Sequence, residues 1–256
     1  MIELISSGGF IGRAAFQRRR LSPQEKLDYH QKGFLHIPAL TPPSEINRIK
    51  EIMDRLYASK GLQFGDVRNP LRLAPELTHT HLYQSCCLIA KQLLGLTARY
   101  GCDRGLYKEP AGRHGSPWHQ DAAFHGTYSL LQSLTFWIPL HDVEAENGCM
   151  QYIALERGQK LLPHRPFYPG DNFSLMTPYA DTGLAVTVPV RAGGATIHGP
   201  MTLHAAHVNS ADVIRRVWTI SFRPWGRWGG IRPTRIAHIL SVLVQRSVAA
   251  TRLRGH

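Results

Sequence analysis

The stretch Trp118-His-Gln-Asp121 contains a histidine and an aspartate with one residue between them. On a β-strand, residues i and i+2 point to the same face, so that His119 and Asp121 could reach one metal ion together. An imidazole and a carboxylate, joined by a second imidazole, form the facial triad that binds Fe(II) and leaves coordination positions open. Because His-x-Asp is a common tripeptide, the prediction depends on a second histidine elsewhere in the chain.

Three histidines in one later segment are candidates for the second imidazole. His198, His204 and His207 all lie in residues 196–210, which read TIHGPMTLHAAHVNS. Residue type and spacing alone leave the choice among the three open.

The elements that must position these residues are predicted to be helices first and strands later. A helix starts at Pro42-Pro43-Ser44-Glu45 and is ended by Gly61, and a second covers residues 85–94. From about residue 101, short β-branched and aromatic runs are separated by turn residues, which predicts an antiparallel sandwich or barrel. The runs are residues 134–138, 186–188, 195–197 and 217–222.

This pattern predicts a mainly β protein with flanking helices. We expect an N-terminal arm over residues 1–22, a single domain over 23–228 and a basic C-terminal helix over 229–256. Within the domain, the helical part covers about 23–100 and the β part about 101–228.

The segment 157–183 is long and rich in proline and aromatic residues, which is typical of a lid or binding loop. Its aromatic side chains and two residues just after Asp121 are candidates for a substrate pocket, although aromatic residues are also ordinary core material. These candidates are Phe124, His125, Phe167 and Tyr179.

The net charge of +12 is concentrated at the two ends of the chain. Residues 27–212 contain 16 basic and 16 acidic residues, whereas residues 213–256 contain nine basic and no acidic residues. The balanced centre argues against a nucleic-acid partner, and the basic ends would permit an acidic carrier protein. The predicted C-terminal helix could dock on its own domain or contact a membrane or a partner, and we favour the docked arrangement.

No apolar run of about eighteen residues occurs and the N-terminus does not resemble a secretory signal. We therefore expect a cytoplasmic protein. The four cysteines form no CxxC pair, in agreement with this expectation.

Four separated motifs together resemble the phytanoyl-CoA dioxygenase (PhyH-like) family of Fe(II)/2-oxoglutarate-dependent oxygenases. They are the WHQD stretch, Asn147-Gly-Cys-Met150, His204 with Asn209 five residues later, and Arg215. The resemblance covers roughly residues 28–226. It implies a double-stranded β-helix (jelly roll, cupin-like) core, with Fe(II), 2-oxoglutarate and O2 as cofactor and cosubstrates.

The resemblance also implies roles for individual residues. His119, Asp121 and His204 become the catalytic iron ligands, which leaves His198 and His207 in supporting or structural roles. Arg215 becomes the partner of the far carboxylate of 2-oxoglutarate, with Arg216 as the alternative. Trp137 matches a family aromatic residue beside the cosubstrate, and Lys108 matches a basic position before the metal strand, which makes both candidates for cofactor binding. A core tryptophan and an exposed lysine are the open alternatives.

Two departures from the family pattern concern the pocket. Relatives often have a serine where this chain has Ala206, so Thr196 or a water molecule would have to replace that hydroxyl. Residues 154–158 replace a P-G-S/T-H turn that relatives have near the pocket entrance. The identity of the substrate therefore cannot be inferred from those relatives. Halogenating relatives have a small residue in place of the metal-binding carboxylate. The presence of Asp121 therefore favours hydroxylation over halogenation.

The function expected from the resemblance is hydroxylation, or another oxidation of a C–H bond, in a small organic metabolite such as a natural-product intermediate. 2-Oxoglutarate would be decarboxylated to succinate in the same cycle. The alternatives are a substrate tethered to a carrier protein or CoA, and a non-catalytic cupin-like metal- or ligand-binding protein.

Overall fold

The structure is a computed structural model that describes residues 18–62, 64–112, 115–124, 133–154, 160–168 and 174–224. The helices in these residues are α1 (Pro23–Lys32), α2 (Pro43–Ser59), α3 (Pro70–Leu73) and α4 (His81–Leu94). The strands in the first half are β1 (Phe34–Ile37), β2 (Gly65–Arg68), β3 (Ala98–Lys108), β4 (Ser116–His119), β5 (Leu134–Pro139) and β6 (Met150–Ile153). Those in the second half are β7 (Arg165–Pro166), β8 (Leu175–Met176), β9 (Val186–Val188), β10 (Ala195–His198), β11 (Leu203–Ala206) and β12 (Arg215–Pro224).

The ten longer strands form two antiparallel sheets. The larger sheet has the order β1-β10-β5-β12-β3-β2, and the smaller has the order β4-β11-β6-β9. Side chains from both sheets share one apolar cluster, which includes Trp137, Tyr152, Ala206 and Val217, so the two sheets face each other. Two facing antiparallel sheets with flanking helices constitute a jelly roll, and the predicted fold is confirmed.

The helices cover the outer face of the larger sheet. Alternate residues of β12 point outward, and Trp218, Ile220 and Phe222 share a second apolar cluster with α2 and α4. In α2 the predicted apolar face is buried through Ile46 and Ile49, because residues three and four apart meet on one side of a helix.

The N-terminal part contributes strands as well as helices. β1 pairs with β10 at one edge of the larger sheet, and β2 pairs with β3 at the other edge. The helical part expected over about 23–100 therefore also contains both edge strands, each only four residues long.

The division into an arm, one domain and a C-terminal helix stays a prediction. Most of the arm and all of the C-terminal helix lie outside the described residues. Among the helices of the described ranges, none has the length and apolar character needed to cross a membrane.

Candidate metal centre

The smaller sheet brings two of the predicted ligands together. β11 pairs antiparallel with β4, and His204 lies directly opposite His119 in that pairing. The two rings are 4.1 Å apart between centroids. With Asp121 they form a group whose potential ligand atoms all lie within 4.8 Å of one another.

Asp121 reaches this group from a turn and not from a strand. β4 ends at His119, and Asp121 begins a short 3-10 helix that runs to Phe124. The N–H of Ala122 donates to the carbonyl of Pro200 over 2.9 Å, which ties the turn to the loop before β11. The same-face argument for two strand residues was therefore wrong, although both side chains reach the same place.

Both candidate histidines are held with Nε2 directed at the cluster. Nδ1 of His119 lies 2.7 Å from the carbonyl oxygen of Pro117, and Nδ1 of His204 lies 2.9 Å from that of Thr202. A carbonyl oxygen can only accept, so each Nδ1 carries the proton and each neutral ring presents the Nε2 lone pair. This is the tautomer that a metal ligand requires.

The two oxygens of Asp121 face different neighbours. Oδ1 lies 3.8 Å from Nε2 of His119 and 3.6 Å from Nε2 of His204. Oδ2 lies 3.4 Å from Nε2 of His198 and accepts a hydrogen bond of 3.3 Å from the Thr135 hydroxyl. Oδ1 is therefore the carboxylate oxygen that lies near both ligand-side nitrogens.

The electrostatics favour the protonation states that bind a metal. Burial lowers the pKa of His119, and burial together with the neighbouring imidazoles lowers the pKa of His204 well below its ordinary value. Burial alone would raise the pKa of Asp121, but the hydrogen bond from His198 and the surrounding histidines hold it below its usual range. Two neutral imidazoles and an ionised carboxylate therefore coexist at neutral pH, as metal binding needs.

A pair of basic side chains lies where β3 and β12 pair. Arg215 is opposite Lys108 in the register, and the residue is 1% exposed. Nη1 of Arg215 donates to the carbonyl of Gly148 over 2.9 Å, whereas its buried Nε has no partner. Lys108 Nζ donates to the Ser116 hydroxyl over 3.1 Å.

Arg215 is buried and Lys108 is partly buried, and within the described residues neither has a counter-charge. No carboxylate of the described residues forms an ion pair with Arg215 or Lys108. Burial, and then repulsion from Arg215, lowers the pKa of Lys108 to about 7, and burial lowers the pKa of Arg215 to about 10. Uncompensated buried charge is costly, so the pair is suited to an anionic ligand.

Arg216 does not offer the alternative anion site. Its Nε donates to Oδ1 of Asp54 over 3.0 Å, and its guanidinium lies 5.5 Å from the Tyr107 ring centroid. Neighbouring residues of β12 point to opposite faces, so Arg216 serves the contact with α2 while Arg215 lies between the sheets.

The position of Trp137 fits both a core residue and a residue beside a bound cosubstrate. It is 3% exposed and belongs to the apolar cluster between the sheets. The Arg215 guanidinium lies 5.7 Å from the centroid of its ring, so the same side chain flanks the cationic pair.

The hydroxyl missing at Ala206 has a counterpart across the strands. Ser116 is the partner of Ala206 in the β4–β11 pairing, and its hydroxyl accepts the hydrogen bond from Lys108. Thr196, the replacement suggested by the sequence, has its hydroxyl 2.7 Å from that of Tyr152. Ser116 was missed because the pairing of β4 with β11 cannot be read from either segment alone.

The other two candidate histidines of residues 196–210 lie in different places. His207 has Nε2 3.2 Å from the Thr187 hydroxyl on β9, which is separated from β11 by β6 in the sheet. His198 lies beside the ligand group on β10, with its ring centroid 4.2 Å from that of His204. Its Nδ1 is 3.2 Å from the Tyr152 hydroxyl.

Of the residues predicted to line a substrate pocket, Phe124 lies beside the candidate metal site. Phe124 is 36% exposed and its ring is edge-on to His119 at 5.6 Å between centroids. Phe167 packs edge-on against Tyr168, and Tyr179 is 60% exposed. His125 lies outside the described residues, as do parts of the predicted lid.

The described part of the long segment is tied to the metal-binding stretch through Gln120. This residue is fully buried, its backbone N–H donates to Nε2 of His164 over 3.0 Å, and its side-chain oxygen accepts from the N–H of Leu162 over 2.8 Å. Its amide nitrogen donates to the carbonyl of Met201 over 2.8 Å. The residue between the two ligands therefore joins the long segment to the loop before β11.

Comparison with solved structures shows shared folds. EvdO2 from Micromonospora carbonacea var. aurantiaca, in a crystal structure complexed with 2-oxoglutarate, matches with a TM-score of 0.74 and 23% identity over 82% of this chain and 93% of that chain. The non-heme alpha ketoglutarate dependent carbocyclase SnoK from nogalamycin biosynthesis matches with a TM-score of 0.66 and 25% identity over 82% of this chain and 89% of that chain.

Comparison of sequences gives the family. Phytanoyl-CoA dioxygenase domain-containing protein 1 of Mus musculus is 32% identical over 141 residues, which are 50% of this chain and 48% of that protein. The chain thus spans about half the length of the curated relatives it matches. Residues 29–217 match the family described as Phytanoyl-CoA dioxygenase (PhyH). Because this match covers most of the chain and includes both ligand strands, the chain belongs to the phytanoyl-CoA dioxygenase family.

Proposed function

We propose that the protein is an Fe(II)/2-oxoglutarate-dependent dioxygenase that oxidises a C–H bond of a small organic molecule. The observation that carries this proposal is the combination of a His-Asp-His group with Arg215 and Lys108, which form no ion pair with a carboxylate of the described residues. The first suits Fe(II) and the second suits the far carboxylate of a dicarboxylic acid. The family match and the 2-oxoglutarate bound to EvdO2 support the same assignment.

His119, Asp121 and His204 would hold the metal through Nε2, Oδ1 and Nε2. Bound iron supplies the activation of oxygen that no protein side chain can provide. The protein contributes the geometry, since the Pro117 and Thr202 carbonyls fix both imidazole tautomers before any metal arrives.

Arg215 and Lys108 would bind the far carboxylate of 2-oxoglutarate, with Trp137 beside them. Ser116 and His119 lie three residues apart on the same strand, and an extended strand covers about 10 Å over that length. A five-carbon diacid bridges such a span when one end is on the metal and the other is paired with a cation. Ser116 would replace the hydroxyl that Ala206 lacks.

A small organic molecule, such as a natural-product intermediate, is the substrate class we propose. SnoK belongs to nogalamycin biosynthesis, which supports a substrate of this kind without identifying it. Phe124, exposed beside His119, offers an apolar contact close to the metal. His125, Phe167 and Tyr179 stay predictions for the same pocket.

The proposal is tested by anaerobic titration of the metal-free protein with Fe(II) and 2-oxoglutarate. A visible metal-to-ligand charge-transfer band is expected in the parent and should be lost or strongly weakened in His204→Ala and Arg215→Ala. His207→Ala is the matched control, because His207 lies on the same segment but contacts Thr187, and it should retain the band.

Absence of the band in a folded parent protein would overturn the assignment and favour a cupin-like binding protein. Formation of succinate that depends on 2-oxoglutarate and O2 separates the same two functions, since a binding protein does not turn over its ligand.

A further inference from the structure

A fourth imidazole lies beside the three proposed ligands. His198 ends β10 in the larger sheet, is 3% exposed, and has Nε2 3.4 Å from Oδ2 of Asp121. This oxygen is the one turned away from Nε2 of His119 and His204, which approach Oδ1. His198 therefore contacts the other oxygen of the carboxylate from the one that His119 and His204 approach.

The hydrogen-bond chain behind His198 specifies its tautomer. An ionised carboxylate only accepts, so Nε2 of His198 must carry the proton that points at Asp121. A neutral ring then accepts at Nδ1 from the Tyr152 hydroxyl over 3.2 Å. Tyr152 in turn accepts from the Thr196 hydroxyl over 2.7 Å. His198 thus has the opposite tautomer to His119 and His204.

A second donor points at the same oxygen. The Thr135 hydroxyl donates to Oδ2 of Asp121 over 3.3 Å and lies 3.1 Å from the Ser221 hydroxyl. Oδ2 therefore faces two donors, both from the larger sheet, while Oδ1 is left for the metal.

We propose that His198 is a positioning residue that occupies Oδ2 and so restricts Asp121 to binding the metal through Oδ1 alone. This inference rests on the proposed function, because it concerns the coordination positions of the metal that 2-oxoglutarate would occupy. An octahedral ion held by three protein atoms has room for a chelating 2-oxo acid and for oxygen. A carboxylate bound through both oxygens would take one of these positions.

The test uses anaerobic Fe(II) titration followed by 2-oxoglutarate titration of matched variants. His198→Leu removes the donor at similar volume, whereas the amide of His198→Gln can place a donor near the former Nε2. We expect His198→Leu to keep Fe(II) binding, measured by competition with a chelator, but to bind 2-oxoglutarate about 10- to 100-fold more weakly by the charge-transfer band. His198→Gln should restore most of this affinity.

Thr135 gives a second pair of variants in case the buried His198→Leu protein does not fold. Thr135→Val is isosteric and removes one donor to Oδ2, whereas Thr135→Ser keeps it. The loss of 2-oxoglutarate affinity should appear in Thr135→Val, be smaller than in His198→Leu, and be absent in Thr135→Ser. An unchanged affinity in Thr135→Val and His198→Leu would overturn the inference.

A nitrogen-15 NMR spectrum of the metal-free parent gives a readout independent of iron. It should show an Nε2–H tautomer for His198 and Nδ1–H tautomers for His119 and His204. An Nδ1–H tautomer for His198 would contradict the inference. A missing charge-transfer band in the folded parent would overturn the proposed function itself. A band that persists undiminished in His198→Leu overturns only the role of His198.

Discussion

Lys108 shows how burial can turn a lysine into a group that titrates near neutral pH. Its pKa of about 7 means that the amine is partly neutral in the ligand-free protein at neutral pH. A bound dicarboxylate favours the ammonium form and raises the pKa of Lys108 in the complex. Binding of 2-oxoglutarate should therefore take up a proton at pH values above the pKa of the free protein.

The resulting prediction is that the affinity for 2-oxoglutarate falls as pH rises through about 7, by up to about tenfold per pH unit. Below that pH, Lys108 is charged in both states and contributes no pH dependence. Charge-transfer titrations at several pH values, with calorimetry in buffers of different ionisation enthalpy, measure the slope and the proton uptake. Lys108→Met should bind more weakly and lose this slope, and an unchanged slope in Lys108→Met would assign the proton to another group.

At the scale of single residues, the sequence indicates the candidate metal ligands and a supporting histidine, His198, but not the other groups that contact them. His119 and Asp121 are found because two ligand types lie close together in the chain. Thr135, Tyr152 and Ser116 are separate in sequence and meet the site through sheet pairings, so no local spacing identifies them.

Among the elements, the pairing of β4 with β11 determines the position of both imidazoles. His204 is opposite His119, and the turn after β4 carries Asp121. Two of the four helices in the described residues, α2 and α4, were predicted, because an amphipathic period and a terminal glycine are local signals. The strand orders were not, since they join segments such as β1 and β10 that are far apart in sequence.

Gln120 connects this strand pair to the long segment, and its loss should loosen that segment. Gln120→Ala leaves the N–H of Leu162 and the carbonyl of Met201 without their partners, at a cost of about 1 to 3 kcal/mol in unfolding free energy. Faster amide hydrogen exchange over residues 160–164 is the expected result. Gln151→Ala is the control, because Gln151 lies on β6 next to Tyr152, and residues adjacent in a strand point to opposite faces. Equal exchange in both variants would contradict the role of Gln120.

For the whole molecule, the distribution of charge separates the site from the ends of the chain. Residues 27–212 are balanced in formal charge, and the described site residues fall between 108 and 215. The nine basic residues of 213–256 include Arg215, so eight lie outside the proposed anion site. An acidic carrier protein or CoA, if the substrate is tethered to one, would interact with these residues through charge and be sensitive to salt.

Deletion of residues 229–256 should leave the charge-transfer band with Fe(II) and 2-oxoglutarate unchanged, because the proposed ligands and cationic pair lie outside that segment. A free substrate should be turned over equally by the full and shortened chains. A substrate tethered to an acidic carrier should be turned over less by the shortened chain than by the full chain at low salt. Glutamine replacement of the arginines in 229–256 is the matched control, since it removes charge and keeps length. If the deletion abolishes the band and the glutamine variant retains it, the segment supports the site by packing. The prediction that the band does not depend on residues 229–256 would then be wrong.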